Sequence, residues 1–171
     1  MNVTKGRIEL IQADITTMDV DAIVNAANES MLGGGGVDGS IHRGAGPELF
    51  KECRTLGGCN TGQAKITNGF NLKAKFLIHT VVPVWQDGTN GEPKLLASCY
   101  RNCLKLADEN QIQTIVFPSI STGGYGYPIM QASQIAVREG RNFLVTNPLI
   151  KQVSFVCFSP EDLYVYKSLL Q

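Results

Sequence analysis

The chain has 171 residues, 43% of them hydrophobic, a size and apolar content at which one core buries about two-thirds of the unfolded surface. Fifteen basic residues balance fifteen acidic ones, so no global field exists to hold a nucleic-acid backbone or an anionic membrane. Every apolar run falls far short of the roughly 20 residues of a membrane helix, and small ligands become the expected partners.

The first twelve residues alternate polar and apolar side chains and lack the apolar block of a secretory signal, which predicts a cytoplasmic protein. Strands are predicted at residues 8–12 and 22–24, and a helix follows Pro47. A strand at 76–82 leads through a polar surface loop at 86–91 into the clearest helix, 92–109. There Leu95, Leu96, Cys99, Cys103, Leu104 and Leu106 recur near helical spacing after Pro93 in the first turn. A strand at 114–117, a helix at 130–143 and a strand at 153–158 complete the pattern. The last helix is capped by Ser159, with Pro160 at its first position and Leu163, Val165, Tyr166, Leu169 and Leu170 as its apolar face. Alternating strands and helices, with several strands almost continuously apolar, predict an α/β fold. It is read as a three-layer α/β/α sandwich with a mixed central sheet, spanning 1–171 as one domain and monomeric by default. The five cysteines are odd in number and scattered, which suits reduced thiols. Cys99 and Cys103 have no nearby His or CxxC partner, so they read as core thiols, and neither metal nor cofactor is expected.

Two glycine-rich loops carry the candidate chemistry. In the first, Asn25-Ala-Ala-Asn28 leads into Gly33-Gly-Gly-Gly36-Val37-Asp38-Gly39, and seven of the 18 glycines fall between Gly33 and Gly46. Glycine lets a ligand approach the main chain closely, and consecutive amides form an anion nest. Gly34, Gly36 and Gly39 satisfy GxGxxG, yet about eight residues separate them from the strand and no suitable acidic residue follows, which argues against a dinucleotide-dependent reductase. No Gly-Lys-Ser or Gly-Lys-Thr follows either, which argues against a P-loop. The second loop, Pro118-Ser-Ile-Ser-Thr-Gly-Gly-Tyr-Gly-Tyr-Pro128, directly follows a predicted strand, where α/β sheets hold ligands. No Lys or Arg occurs between Asn28 and His42 or between Pro118 and Val137. Anion recognition by these loops is therefore expected to rest on amide dipoles.

At these residues the sequence resembles the macrodomain family, specifically the MacroD type that includes bacterial O-acetyl-ADP-ribose deacetylases. The anchors are Gln12-Ala-Asp-Ile-Thr16, Ile23-Val-Asn-Ala-Ala-Asn28, Gly33-Gly-Gly-Gly-Val-Asp-Gly-Ser-Ile-His42, Ala45-Gly-Pro47, His79-Thr80 and Ser119-Ile-Ser-Thr-Gly-Gly-Tyr-Gly-Tyr-Pro128. The resemblance implies that Asp14, with Ile15 beside it, accepts a hydrogen bond from adenine and that Phe158 stacks on it. The pyrophosphate would lie between Gly35, Gly36 and Val37 on one side and Ser121, Thr122, Gly123, Gly124, Tyr125 and Gly126 on the other. Asn25, Asn28 and Asp38 would face the distal ribose, with Tyr125 over it. Read without the resemblance, Asp14 caps the turn at Thr16, Asp38 caps the helix through His42, and Phe158 is core. His42 and His79 read as packing or supporting groups.

The reaction so implied is hydrolysis of an acyl group from the distal ribose of ADP-ribose, with Asn28 and Asp38 as the catalytic pair. The acyl group is either acetate or the side-chain carboxylate of a modified Asp or Glu. A non-catalytic ADP-ribose reader and an ADP-ribose 1″-phosphate phosphatase are the alternatives, and the pairing of Asn28 with Asp38 argues against the reader. Two departures stand out: Ala13 replaces the glycine usual before the adenine-binding aspartate, and Gly124 replaces a bulkier aliphatic residue. The stretch from Cys53 to Thr61 is also short for the bacterial enzymes.

Overall fold

The computed structural model describes residues 2–171. Seven strands, β1 (Asn2–Lys5), β2 (Ile8–Gln12), β3 (Ala22–Ala27), β4 (Ala64–Asn68), β5 (Phe76–Val81), β6 (Thr114–Pro118) and β7 (Gln152–Cys157), form one sheet in the order β1-β2-β7-β6-β3-β5-β4. The five central strands run parallel, while β1 and β4 close the edges antiparallel. Helices α1 (Gly36–Ala45) and α2 (Pro47–Thr55) cover one face, and α3 (Glu92–Glu109), α4 (Ile129–Thr146) and α5 (Pro160–Leu170) cover the other. This is the mixed three-layer arrangement that the sequence predicts.

Neighbouring residues of the central strands feed opposite cores, because successive side chains of a strand alternate between faces. Ile23, Leu77 and Val116 pack with Ile41 and Leu49 beneath α1 and α2. Val24, Ile78, Ile115 and Phe117 pack with Leu96, Tyr100 and Ala136 beneath the other three helices. All of these are essentially inaccessible, and each fully buried large side chain stabilises the fold by about 1.5–3 kcal/mol. Cys99 and Cys103 are buried in the same core.

β1 and β4 fall outside the predicted set. Both are edge strands, where hydrogen bonding to one neighbour suffices and the hydrophobic alternation is weak; only Thr67 of β4 is buried. β3 also runs three residues past its predicted end, since Asn25 is buried in a strand position as completely as its apolar neighbours. Ser159 caps α5 as expected, its hydroxyl accepting from Asp162 N at 3.1 Å.

α3 starts differently. Its N-cap is Gly91, which offers no side chain. The Glu92 carboxylate instead turns back and accepts from the amides of Gln86 (3.0 Å), Gly88 (3.0 Å) and Asn90 (2.7 Å), tying down the polar loop before the helix. These donors, that of Gln86 first, hold the carboxyl down to about 2. A depressed carboxyl stabilises the fold fully above its unfolded value and loses that contribution as pH falls through the folded one. Glu92→Gln is therefore expected to melt at lower temperature than the parent at neutral pH. The gap should close as pH falls from the ordinary glutamate range near 4.5 toward 2, which thermal melts across that window would record.

Candidate functional site

The chain leaves β3 through α1 and α2 toward β5, and leaves β6 through α4 toward β7, moving in opposite directions across the sheet. β3 and β6 therefore flank a topological switch point, where parallel sheets open a crevice at their carboxyl ends. Two adjoining cavities occupy it. The first, of about 410 Å³, lies against Asn28, Asp38, Val82 and Tyr125. The second, of about 930 Å³, lies against Asp14, Ile15, Arg43 and Phe158. Gly36, Val37, Pro118, Ser119 and Gly123 wall both, so the cleft is continuous along the two loops.

Its walls are rich in unpaired amides. The first N–H groups of an α-helix have no intrahelical acceptor, and α1 opens at Gly36 with Gly35 as its N-cap and no capping side chain. On the opposite wall, the amides of residues 122–125 have no acceptor among the described residues. The Ser121 and Thr122 hydroxyls of that loop already have backbone partners. Ser121 Oγ donates to the Pro83 carbonyl at 2.9 Å, and Thr122 Oγ1 to that of Ser119 at 2.9 Å. Ser121 takes a left-handed conformation, φ 67°, which Tyr127 N locks by donating to its carbonyl at 2.8 Å. Trp85 N holds the Tyr125 carbonyl at 2.9 Å. Facing rows of amide dipoles suit a diphosphate.

At the Asn28 end, Asp38 is 5% exposed and stands in the first turn of α1, two residues inside it, rather than capping it. Its Oδ1 accepts from Asn25 Nδ2 at 2.8 Å, and His42 Nε2 is 3.4 Å away. A methyl group on Gly34 would stand 3.1 Å from Asp38 Oδ2 and 3.5 Å from Asn28 Nδ2, so these two side chains converge over one glycine. Asn28 also builds the loop: Nδ2 donates to the Gly33 carbonyl (2.9 Å), while Oδ1 accepts from Ser30 Oγ (2.7 Å) and Met31 N (3.0 Å).

Asn25, expected at the ribose, lines neither cavity. It is fully buried, with Nδ2 also 3.1 Å from His79 Nδ1. Its place in a parallel strand points it into the core behind Asp38. Gly126 likewise stands outside the lining, its amide bonded to the Gly123 carbonyl at 3.0 Å within the turn. His79 is buried, which pushes it down to about 3, so the ring is neutral throughout the physiological range.

At the other end, Asp14 does cap the turn at Thr16, accepting from Thr16 N (3.0 Å) and Thr16 Oγ1 (2.7 Å) through the same oxygen, Oδ1. Phe158 is not core: it is 92% exposed and lies beside Asp14 and Ile15 along the cavity. Arg43, Ser40 and Asp162 line this end as well and escape the sequence reading. Ser40 and Arg43 follow Gly36 and Val37 at three- and four-residue helical steps, which is the signal that could have found them. Arg43 also supplies a cation that the loops themselves lack, its Nη2 donating to Ser40 Oγ at 3.1 Å.

At Gly124 a Cβ would meet no atom within 4 Å, and its φ is not positive. Alanine there restricts the free loop without strain, a gain of about 0.4–1 kcal/mol for such replacements. Gly124→Ala is expected to hold a diphosphate-bearing ligand about two- to fivefold more tightly; calorimetry showing weaker binding would contradict this.

Residues 24–136 match the Macro domain family. A macro domain-containing protein of Chlorobaculum tepidum is 61% identical over 163 residues, covering 95% of each chain. A Salmonella typhimurium protein named O-acetyl-ADP-ribose deacetylase is 52% identical, covering 96% of this chain and 94% of that one. Among solved structures, a point mutant of the Oceanobacillus iheyensis macrodomain with ADPR superposes with a TM-score of 0.93 at 43% identity, covering 99% of this chain and 96% of that one. The Trypanosoma brucei macrodomain in complex with ADP-ribose gives 0.91 at 43% identity, covering 96% and 69%. With its sheet order, its two amide-lined loops and these relatives in agreement, the chain belongs to the Macro domain family.

Proposed function

We propose that this protein binds ADP-ribose along the β3–β6 cleft and hydrolyses an acyl group from the distal ribose, acting on O-acetyl-ADP-ribose and on ADP-ribosyl esters of protein Asp or Glu. The observation that carries the reading is a buried carboxylate, Asp38, converging with Asn28 over Gly34 at one end of an amide-lined cleft. Adenine then falls at the other end, with Asp14 and Phe158, and the diphosphate between the amides of the two loops. The names of the relatives support the same assignment.

In the proposed reaction, water adds to the ester carbonyl and the carbon–oxygen bond to the ribose breaks. The water proton passes to the departing ribose oxygen, giving a carboxylic acid and free ADP-ribose. Asp38 accepts a hydrogen bond from the attacking water, and Asn28 orients the ribose. Holding the water at attack distance is the larger part of the role of Asp38. A neutral chain with scattered reduced cysteines supports a cytoplasmic setting.

Incubating the protein with O-acetyl-ADP-ribose and with a glutamate-ADP-ribosylated protein, and following acetate and ADP-ribose release, tests the chemistry. Calorimetry with ADP-ribose, ADP and NAD tests the cleft separately. No release from either substrate would remove the hydrolase assignment, and equal affinity for all three nucleotides would remove the distal-ribose site.

A further inference from the structure

Behind Asp38 runs a chain of three buried side chains, Asn25, His79 and Thr67, none of which lines the cleft. One direction for it follows when the Asn68 carbonyl takes the Thr67 proton. A threonine hydroxyl carries one proton, and Thr67 Oγ1 donates it to the Asn68 carbonyl at 3.1 Å. The same oxygen lies 2.8 Å from His79 Nε2, so it accepts there, and Nε2 holds the ring proton. The buried ring is neutral, which leaves Nδ1 a bare acceptor. The Asn25 atom placed 3.1 Å from Nδ1 and 2.8 Å from Asp38 Oδ1 is the amide nitrogen, giving one proton to each. Turning the amide over would set its carbonyl against two acceptors at once. In the unturned orientation Asn25 Oδ1 is buried with no hydrogen-bond partner among the described residues.

The opposite arrangement is internally consistent too. With the ring proton on Nδ1, His79 would donate to the Asn25 carbonyl, which would also face Asp38, and Asp38 would need a proton of its own to satisfy it. In that state the carboxyl is a donor at Oδ1 and a poor acceptor for water. The two arrangements differ in where the Thr67 proton goes: to the Asn68 carbonyl in the first, leaving a lone pair toward Nε2, and to Nε2 itself in the second.

We propose that Thr67 and His79 are positioning residues for the hydrolysis: by fixing the ring tautomer they fix the Asn25 amide, which aims Asp38 and keeps it an acceptor toward the cleft. This rests on the assignment of Asp38 to the attacking water. It accounts for why a neutral histidine is buried behind a carboxylate, and for why Asn25 is a strand residue with no access to ligand.

The test combines ring-nitrogen NMR of protein labelled at histidine with steady-state kinetics on O-acetyl-ADP-ribose. The parent is expected to show His79 protonated at Nε2 and bare at Nδ1. Thr67→Val, nearly equal in volume, should move the proton to Nδ1 and lower kcat about tenfold, the worth of one charge-assisted hydrogen bond. KM and ADP-ribose affinity should stay within about twofold, since neither residue touches ligand. Thr67→Ser, which keeps the hydroxyl, should retain both the parent tautomer and the parent kcat. A parent ring protonated at Nδ1 would overturn the proposal. So would a Thr67→Val ring that keeps its tautomer, a changed tautomer with unchanged kcat, or a serine variant as impaired as the valine one. Lack of turnover by the parent would count against the hydrolase assignment alone, because the spectra of parent and Thr67→Val still decide the chain.

Discussion

Asp38→Ala is expected to lower kcat for O-acetyl-ADP-ribose at least about 100-fold, the lower end of what a positioned proton acceptor supplies, while ADP-ribose affinity stays within a few-fold of the parent. The two effects separate because the groups are separate. In the proposed pose the diphosphate faces backbone amides at the start of α1 and at residues 122–125, which the substitution leaves in place, whereas Asp38 sits at the far end with Asn28. Removing the carboxylate also strips one of the two Asn25 Nδ2 protons of its acceptor, and an unpaired buried donor costs about 1–3 kcal/mol. The variant should therefore melt earlier as well. Asp38→Asn is the useful companion: its carbonyl can still accept from Asn25, so most of the stability returns, yet the neutral amide is a poorer acceptor for water and kcat stays low. Single-turnover assays, calorimetry and melts on the two variants give the pattern. Turnover by Asp38→Ala within about tenfold of the parent, well under the usual loss for such a group, would make Asp38 a structural residue and leave the cleft a reader of ADP-ribose.

How much of this is legible in the sequence depends on whether a residue's role is set by its neighbours in the chain or across the fold. α3 and the Ser159 cap of α5 are written locally, in apolar spacing and in a cap followed by proline, and they form where predicted. The glycine run and the second loop are equally plain, because four adjacent glycines make poor helix and poor strand. Most of the residues named in those loops, with Asp14, Ile15 and Phe158, line the cleft. Asn25 shows the limit. The motif Asn25-Ala-Ala-Asn28 presents two similar asparagines, but β3 continues to Ala27, so strand geometry sends Asn25 inward while Asn28, just past the strand, is released to the cleft. Its partners come from β5 and α1, positions far away in sequence with no local sign of the contact. Thr67 is harder still: it reaches His79 only through the antiparallel pairing of β4 with β5, and β4 is too weakly patterned to be read as a strand. The exposed Phe158 illustrates the reverse case, since an apolar residue at a strand end looks like core until the strand is seen to stop at Cys157.

Gly39→Ala is expected to weaken ADP-ribose binding at least about tenfold and to reduce turnover with it, a different signature from the loss of Asp38. A Cβ at position 39 would lie 2.7 Å from the Gly34 carbonyl oxygen and 3.2 Å from Arg43 Nη1. The arginine is flexible and can retreat. The carbonyl is backbone, so either α1 or the glycine loop must shift. α1 is held by Ile41 and Ala45, both buried against β3 and its neighbours, and close-packed interiors resist such displacement. The loop is therefore the part that yields, taking Gly34 away from Asp38 and Asn28 and turning the amides at the mouth of α1 out of line with residues 122–125. Because the loop is on the surface of the fold, the stability cost should stay near the lower part of the roughly 1–3 kcal/mol typical of overpacking. Gly124→Ala is the internal control: the same added methyl, on the facing loop, meets open space and is expected to tighten binding instead. Opposite signs at positions 39 and 124 would show that the cleft needs a glycine at one wall, for room, and does not need one at the other. Parent-like affinity in Gly39→Ala would mean that the loop does not need its close approach to α1 to hold the diphosphate.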